Sequence, residues 1–299
     1  MINITDKMVR RFIRDFSIPA PVQRKEFLEY YLRLYDKVYD TKRKFEVFME
    51  ARSAFQDDES FLDYRSRVRN DIINDISNNE KYISWTQSND VYITPFPVLK
   101  KEVFIRNNAN KTFLSFDLKA GNFSVLRYID KSIVRNYDTW EEYVRHFSPF
   151  EYFQLSKHFR QVTLGKLDSA KRIKKYEYVI MSSLIQTHIL NQGILNINDI
   201  VMSCYDEVIF DITNKSIEKL VIPKYMQDNL HVEVFTLQQL LPYNMFVKKS
   251  DEKITFKCCN VKLFPQIYKH YMGLNVEVLD KYFIDDTGHL SKYIEELQW

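Results

Sequence analysis

Three carboxylates stand inside apolar, strand-like stretches of this sequence. Asp206 and Glu207 lie in the run 200–212, and Asp117 lies 89 residues before Asp206 in the run 113–127. A carboxylate is costly in a hydrophobic strand unless a partner compensates its charge. A pair of divalent cations would do so, and carboxylates that hold two metal ions are the machinery of in-line phosphoryl transfer. The pattern therefore predicts a metal-dependent nucleotidyl-transfer site, or the remnant of one.

Each carboxylate also has a structural interpretation. At the tip of a hairpin, Asp206 and Glu207 would be ordinary exposed turn residues. Asp117, which precedes Gly121, would serve as a cap where a helix begins. The neighbouring elements and the remaining motifs are therefore needed to distinguish the functional interpretation from the structural one.

The first third of the chain has helical periodicity. Apolar residues recur at helical spacing over 8–16, 27–38 and 61–76. A polar stretch over 77–98 then predicts a loop that crosses into a second region. We therefore expect residues 1–80 to be helical.

Strands are predicted next to Asp117. The segments 103–105 and 113–116 have strand character, and the turn-rich segment 106–111 predicts a hairpin tip between them. Asp117 ends the second strand. A helix is expected to follow from Asn122.

Helices are predicted between the two carboxylate runs, and a hairpin carries Asp206 after them. A capping box at Thr139 opens a short helix, residues 157–164 form a second one, and a longer helix ends near Gly193. These elements place the basic residues of 157–164 in the sequence between the two acidic sites.

The C-terminal part mixes strands and helices. Strands are predicted over 232–235, 254–257 and 276–279, and a capping box at Thr236 predicts a helix. Together these elements predict an α+β protein. Its expected divisions are a helical N-terminal region at 1–94, a central region at 95–225 and a mixed C-terminal region at 226–299.

This order of elements resembles the palm of family A nucleic-acid polymerases, the family of bacterial DNA polymerase I and the single-subunit phage RNA polymerases. The resemblance covers residues 95–225 and implies a palm, an antiparallel sheet backed by helices. It also implies two Mg²⁺ or Mn²⁺ ions as cofactors, and a nucleoside triphosphate and a nucleic-acid 3′ end as partners. Only 46 residues separate Arg160 from Asp206, far fewer than in the family. The palm is therefore expected to be reduced and divergent, with a phage or mobile element as its source.

The first family motif is an Asp at a strand end, followed by a turn and a helix, and residues 115–123 are similar to it. By this resemblance Asp117 would bind both metal ions, with the carbonyl oxygen of Leu118 as a further ligand. Asn122 stands at the nucleotide site, where the DNA polymerases of the family usually carry a Glu that closes the site against a ribose 2′-hydroxyl. Because Asn122 replaces this Glu, the choice between DNA and RNA stays open.

The second family motif is a helix with a basic residue followed by an aromatic-Gly pair. Arg160 stands where the family usually has Lys, and Leu164 and Gly165 follow at the motif's spacing, with Leu164 replacing the aromatic residue. Arg still holds a triphosphate well. Together with Lys157 and Lys166, Arg160 would neutralise the charge of an incoming nucleotide.

The third family motif is a hairpin with His-Asp-Glu between apolar runs, and residues 201–211 are similar to it. Tyr205 replaces the His of the family. By this resemblance Asp206 would be the second shared metal ligand, and Glu207 would assist through water. Asp117, Asp206 and Glu207 would then form the catalytic set.

A basic segment follows the second motif. Between residues 153 and 175 there are seven Lys or Arg and one Asp. Its block of Lys171, Arg172, Lys174 and Lys175 would contact a nucleic-acid backbone without reading its sequence. The alternative is a solvated helix face, which is what most charge runs of this kind are.

The composition restricts the partners and the cellular location that we expect for this protein. The chain has 299 residues, of which 45% are hydrophobic and 28% charged, and its net charge of +3 does not by itself indicate a nucleic-acid partner. No apolar run reaches the ~18 residues of a membrane helix, and no signal segment is evident. We expect no membrane partner and a cytoplasmic protein, in the host cytoplasm if a phage encodes it. Cys204, Cys258 and Cys259 have no zinc spacing and are expected to be reduced.

Two alternatives to a nucleotidyltransferase stay open. The palm would persist as a nucleic-acid- or protein-binding module if catalysis were lost. The substituted second motif favours this alternative, whereas the presence of all three carboxylates argues against it. The other alternative is an unrelated structural or interaction protein of a phage. Templated or untemplated addition, and an accessory protein that completes the site, are also left open.

Overall fold

The computed structural model describes residues 4–88, 103–167, 169–251 and 253–299, and helices make up most of the first segment. They are α1 (Asp6–Asp15), α2 (Lys25–Tyr39), α3 (Thr41–Ser53), α4 (Asp58–Ser77) and α5 (Glu80–Gln87). The helical character predicted for the N-terminal region is confirmed over the described part.

Local caps and aromatic packing explain why these helices form. Thr5 and Asp57 each accept a hydrogen bond from a backbone amide in the first turn, at the start of α1 and α4 respectively. Phe12 and Phe61 both pack against Phe48, with ring centroids 5.5 Å and 5.8 Å away. These buried contacts between helices stabilise each of them more than intrinsic propensity does.

The polar loop predicted over 77–98 is wrong in its first half, where α5 lies. Asn79 caps this helix by accepting hydrogen bonds from two of its backbone amides. Tyr82 and Trp85 are buried. Two buried aromatic residues on a capped segment outweigh its polar composition. The rest of the predicted loop, from residue 89, falls outside the described residues.

The second half of the fold is an antiparallel sheet in the order β2-β3-β1-β4-β5-β6. Its strands are β1 (Thr112–Leu118), β2 (Ile200–Ser203), β3 (Glu207–Asp211), β4 (Leu230–Leu240), β5 (Met245–Lys249) and β6 (Ile254–Lys257). A separate two-stranded sheet is formed by β7 (Tyr282–Ile284) and β8 (Leu290–Lys292). The predicted α+β class is confirmed. The main sheet runs across residue 225, because β4 pairs directly with β1.

Further helices follow β1 and β3. They are α6 (Gly121–Ile129), α7 (Trp140–Arg145), α8 (Glu151–Leu155), α9 (Lys157–Leu164), α10 (Ala170–His188), α11 (Lys224–Asn229) and α12 (Phe264–Tyr271). The capping box of Thr139 and Glu142 is present at the start of α7, and α9 has the predicted bounds. The long helix ends at His188, and a short 3₁₀ turn leads from there to Gly193.

The two faces of the sheet have different surroundings. On β1, Leu114 and Phe116 belong to the main hydrophobic core, which also contains residues of α6 and α10. Phe113 belongs to a second, smaller cluster with residues of β3, β4 and β5. Because side chains alternate along a strand, Ser115 and Asp117 share the face of Phe113. The helices therefore back one face, and the carboxylate lies on the other.

Three local predictions are wrong. Residues 103–105 form a bend, although Val103 is buried in the smaller cluster. The strand expected over 276–279 is replaced by a 3₁₀ turn at Val278–Lys281. The helix expected at Thr236 lies within β4, because residues 230–236 pair with β1 and residues 236–240 pair with β5, with Thr236 in both pairings. Strand pairing on both sides overrides a local capping signal.

Two further observations concern membrane-spanning helices and the cysteines. Of the helices in the described residues, none combines the length and apolar character that a bilayer crossing needs. Cys204, Cys258 and Cys259 are free thiols, as the sequence predicts.

Candidate active site

The register of the sheet brings the distant carboxylates together. Asp117 on β1 pairs with Glu207 on β3, and the Leu118 amide donates a hydrogen bond of 2.8 Å to the carbonyl oxygen of Asp206. The two acidic runs are therefore neighbours in space although they are far apart in the sequence. Directly paired residues in an antiparallel sheet lie about 5 Å apart between their Cβ atoms.

A tight hairpin turn presents Asp206. β2 ends at Ser203, and the Cys204 amide donates a 2.9 Å hydrogen bond to the carbonyl oxygen of Glu207, which closes the turn. Tyr205 at the tip has 48% of its surface exposed, whereas Asp206 is partly buried. The thiol of Cys204 lies 3.8 Å from Oδ1 of Asp206 and donates to it. The turn thus directs Asp206 toward β1 and Tyr205 toward solvent.

The carboxylates differ in how they are held. Ser115 donates a 2.7 Å hydrogen bond from its hydroxyl to Oε1 of Glu207. By contrast, Asp117 and Asp206 make no ion pair with any residue in the described part of the chain. Glu207 is therefore oriented by Ser115 and Asp206 by the weak thiol donor of Cys204, while neither Asp117 nor Asp206 has a cationic partner among the described residues.

Burial and mutual repulsion perturb Asp117. Its surroundings raise its pKa to about 7, because burial disfavours the charged form and the charges of Glu207 and Asp206 add repulsion. Lys157 and Lys248 act in the opposite direction but do not cancel these effects. Negative charge is thus concentrated here beyond what the nearby lysines balance.

Glu177 is a further site residue that the sequence reasoning missed. It lies on α10, is only 5% exposed, and its pKa is raised to about 7 by burial and then by Asp206. A Cβ atom on Gly121 would lie 2.7 Å from Oε1 of Glu177 and 3.7 Å from the Cβ of Asp206. Gly121 therefore permits the close approach of all three elements. The one available signal was an acidic residue inside the apolar stretch 176–181.

Cationic residues of α9 face the same space. A cavity of about 160 Å³ is lined by the end of β1, the start of α6, residues of α9 and α10, and the turn that carries Asp206. The predicted site residues that line it are Asp117, Leu118, Asn122, Lys157, Arg160 and Asp206. Burial lowers the pKa of Arg160, although Glu141 and Asp117 oppose this effect. Leu164 also lines the cavity but is 1% exposed, so it belongs mainly to the core.

A buried polar network holds α9 in place. Asp15 is fully buried, and its Oδ1 lies 3.3 Å from the Arg65 guanidinium and 3.1 Å from Nδ1 of His158. The hydroxyl of Tyr152 also donates to Asp15. The Ser156 side chain caps α9 and donates to the backbone carbonyl of Asp15. The cationic face of α9 is therefore fixed relative to the N-terminal helices.

The remaining basic residues predicted for the site are not part of this cavity. Lys166 is exposed on the turn after α9, and Lys171, Lys174 and Lys175 are exposed along α10. Arg172 lies over the ring of Trp85 at 5.0 Å and donates to the backbone carbonyl of Ser88. It therefore has a structural role in joining α10 to α5.

The oxygen donors of the site suit a hard divalent cation. Mg²⁺ and Mn²⁺ prefer carboxylate and carbonyl oxygen, which Asp117, Asp206 and Leu118 supply. Within the described residues, no group of three or more His, Cys, Asp or Glu is already arranged around a single metal position. The charge balance nevertheless fits such an ion, because the carboxylates of Asp117, Glu177 and Asp206 repel one another.

A comparison of this chain with protein-family models, with curated proteins and with solved structures gives no significant match. Function must therefore be argued from the geometry of the site alone.

Proposed function

We propose that this protein transfers a nucleotide to the 3′ end of a nucleic acid by a two-metal mechanism on a reduced polymerase-like palm. One observation carries the proposal. Asp117 and Asp206, from two separate runs, line one cavity together with Lys157 and Arg160. Carboxylates for metal ions and cations for phosphates in one cleft are what nucleotidyl transfer requires.

In this mechanism Asp117, Asp206 and the Leu118 carbonyl would hold the metal ions, and Glu207 would assist from its position beside Asp117. When bound, Mg²⁺ or Mn²⁺ ions activate an attacking hydroxyl and stabilise the charge of a leaving pyrophosphate. The role of the chain is to present these oxygens on neighbouring strands, so that little reorganisation is needed.

Arg160 and Lys157 would bind the triphosphate of the incoming nucleotide, with Asn122 beside its sugar. The 3′-hydroxyl oxygen then bonds to the α-phosphorus and releases its proton to solvent, while the bond to the bridging oxygen breaks and pyrophosphate leaves. The cations on α9 would stabilise the negative charge that accumulates on the phosphates in the transition state.

Primer extension tests this proposal. The assay uses a labelled DNA primer–template with dNTPs or NTPs and with Mg²⁺ or Mn²⁺. Wild-type protein is expected to extend the primer, and Asp206→Asn to lose at least about a thousandfold in rate, since it removes a shared metal ligand. The matched control is Asp211→Asn at the far end of β3, the strand that follows Asp206, because the carboxylate of Asp211 pairs with Lys111 away from the cleft. Equal activity of both variants would contradict the assignment.

A second candidate is a palm that binds nucleic acid without catalysis. It is favoured by the burial of Leu164, which leaves no aromatic face at that position for a nucleotide base. In this case the wild type binds the primer–template but does not extend it with any nucleotide or metal ion. Failure of both binding and extension would instead favour an unrelated interaction protein.

A further inference from the structure

The sheet face that carries the carboxylates continues onto β5 and β6, where lysines replace them. Lys248 lies opposite Thr255, and Lys257 lies opposite Phe246. Phe246 is in the smaller hydrophobic cluster on the carboxylate face. Since side chains alternate along each strand, Lys248 and Lys257 share that face with Asp117 and Glu207.

The two lysines have different local partners. Nζ of Lys248 lies 2.6 Å from Oε2 of Glu233 and 4.2 Å from the centre of the Phe235 ring. Lys257 lies 5.4 Å from the centre of the Phe104 ring and is partly buried. No carboxylate in the described part of the chain lies within ion-pair distance of Lys257. Its charge is therefore only partly hydrated and has no acidic partner.

Lys257 is also crowded by like charges. Burial lowers its pKa, and the nearby cations Lys248 and Lys157 lower it further, whereas Glu207 raises it. Lys248 and Lys157 therefore both lie within electrostatic reach of Lys257, as does the carboxylate of Glu207. An arrangement that destabilises a cation in the free protein is explained if an anion completes it.

We propose that Lys257, together with Lys248 and Lys157, forms a phosphate-binding platform for the backbone of a nucleic-acid strand next to Asp117 and Asp206. β6 is three strands from β1, and neighbouring strands lie about 4.8 Å apart. A platform spread over several strands beside the carboxylates suits successive phosphates of a strand better than one triphosphate. Phe104 beside Lys257 offers a ring for stacking of a base.

The platform gives residues 226–299 a role in binding. It rests on the proposed function only in that the 3′ end of the strand is placed at the carboxylates. Binding itself requires no catalysis. It is measured by fluorescence anisotropy of a labelled DNA primer–template in EDTA, with salt varied from 50 to 200 mM as is usual for such contacts.

Lys257→Gln is expected to weaken binding about fivefold and to reduce the dependence of affinity on salt by about one phosphate contact. Lys257→Arg, which keeps the charge, is expected to retain most of the affinity. The matched control is Lys249→Gln, because Lys249 is exposed on the opposite face of β5. Binding by Lys257→Gln equal to that of Lys249→Gln would overturn the platform.

The two proposals fail in different ways. Asp206→Asn is expected to bind the primer–template as well as the wild type in EDTA, while extension is lost. If wild-type protein binds with a Lys257-dependent salt response but never extends, the platform stands and catalysis does not. If Lys257→Gln does not fold, a Lys248→Gln variant with the affinity and salt response of the wild type would overturn the platform.

Discussion

Replacing Asp117 by Asn is expected to stabilise the metal-free protein above neutral pH. The pKa of Asp117 is raised from its usual 3.8 to about 7, chiefly by burial and then by Glu207 and Asp206. The folded protein therefore keeps this proton at pH values where the unfolded chain has lost it. As pH rises from about 4 to about 7, stability is progressively lost, and above pH 7 the full penalty is present.

The size of the destabilisation follows from the difference between the pKa values of Asp117 in the folded and the unfolded protein. About three pKa units at about 1.4 kcal/mol each correspond to about 4 kcal/mol for an ionised Asp117. The cleft is open to water, and Glu207 and Asp206 can share a proton with Asp117. We therefore expect Asp117→Asn to recover about 2 kcal/mol of this loss in the free energy of unfolding. The substitution changes neither size nor shape, and it breaks no ion pair within the described residues.

Urea unfolding of the wild type and Asp117→Asn in EDTA, at pH 4.5 and pH 8, measures this difference. The variant is expected to be more stable at pH 8 by about 2 kcal/mol and nearly equal to the wild type at pH 4.5. Asp211→Asn is the control with the opposite sign. Burial opposes the effect, but hydrogen bonds from Thr213 and Lys111 lower the pKa of Asp211. An Asp117→Asn protein that is no more stable than wild type at pH 8 would refute an uncompensated carboxylate cluster.

Three further predictions concern the positioning of the site. Gly121→Ala puts a methyl group 2.7 Å from Oε1 of Glu177. We expect the rate of primer extension to fall at least about tenfold. The free energy of unfolding in urea is expected to change by less than about 1 kcal/mol, since Ala is favourable in a helix. Unchanged extension would show that Glu177 moves away from the methyl group without disturbing the site. Arg65→Met removes the buried guanidinium that lies 3.3 Å from Asp15 and leaves only the more exposed Arg11, at 3.7 Å, as a guanidinium partner. It is expected to lower the free energy of unfolding by about 3–5 kcal/mol, with Asp15→Asn/Arg65→Met recovering part of it. An Arg65→Met protein as stable as wild type would mean that the network does not hold α9. Ala120→Gly relieves a residue with φ +49° at the start of α6 and is expected to raise the free energy of unfolding by about 1 kcal/mol; a lower melting temperature would contradict this.

Local signals in the sequence were sufficient for the helices around the site. The Thr139 capping box predicted the start of α7, and the helix predicted over 157–164 has the bounds of α9. The hairpin around Asp206 could be predicted in the same way, from two apolar runs and a polar turn. Each of these features depends on hydrogen bonds and side-chain contacts within one or two turns of the chain, so a short segment carries the necessary information.

Contacts between distant segments decided the remainder. Thr236 has the spacing of a capping box, yet pairing with Thr112 on one side and Lys249 on the other keeps it in β4. Glu177 approaches Gly121 because α10 packs against α6, which begins at Gly121. No local pattern distinguishes such a residue from an ordinary charged position on a helix.

By itself, the sequence determined the kinds of residue available for chemistry and the local elements that carry them, including Asp117, Asp206 and Arg160. The tertiary structure alone decided that Asp117 pairs with Glu207 and that Lys257 lies on the same sheet face. The physical reason is that strand register depends on hydrogen bonds and buried contacts between residues far apart in the chain. Those contacts form only when the whole sheet and the helices behind it pack together.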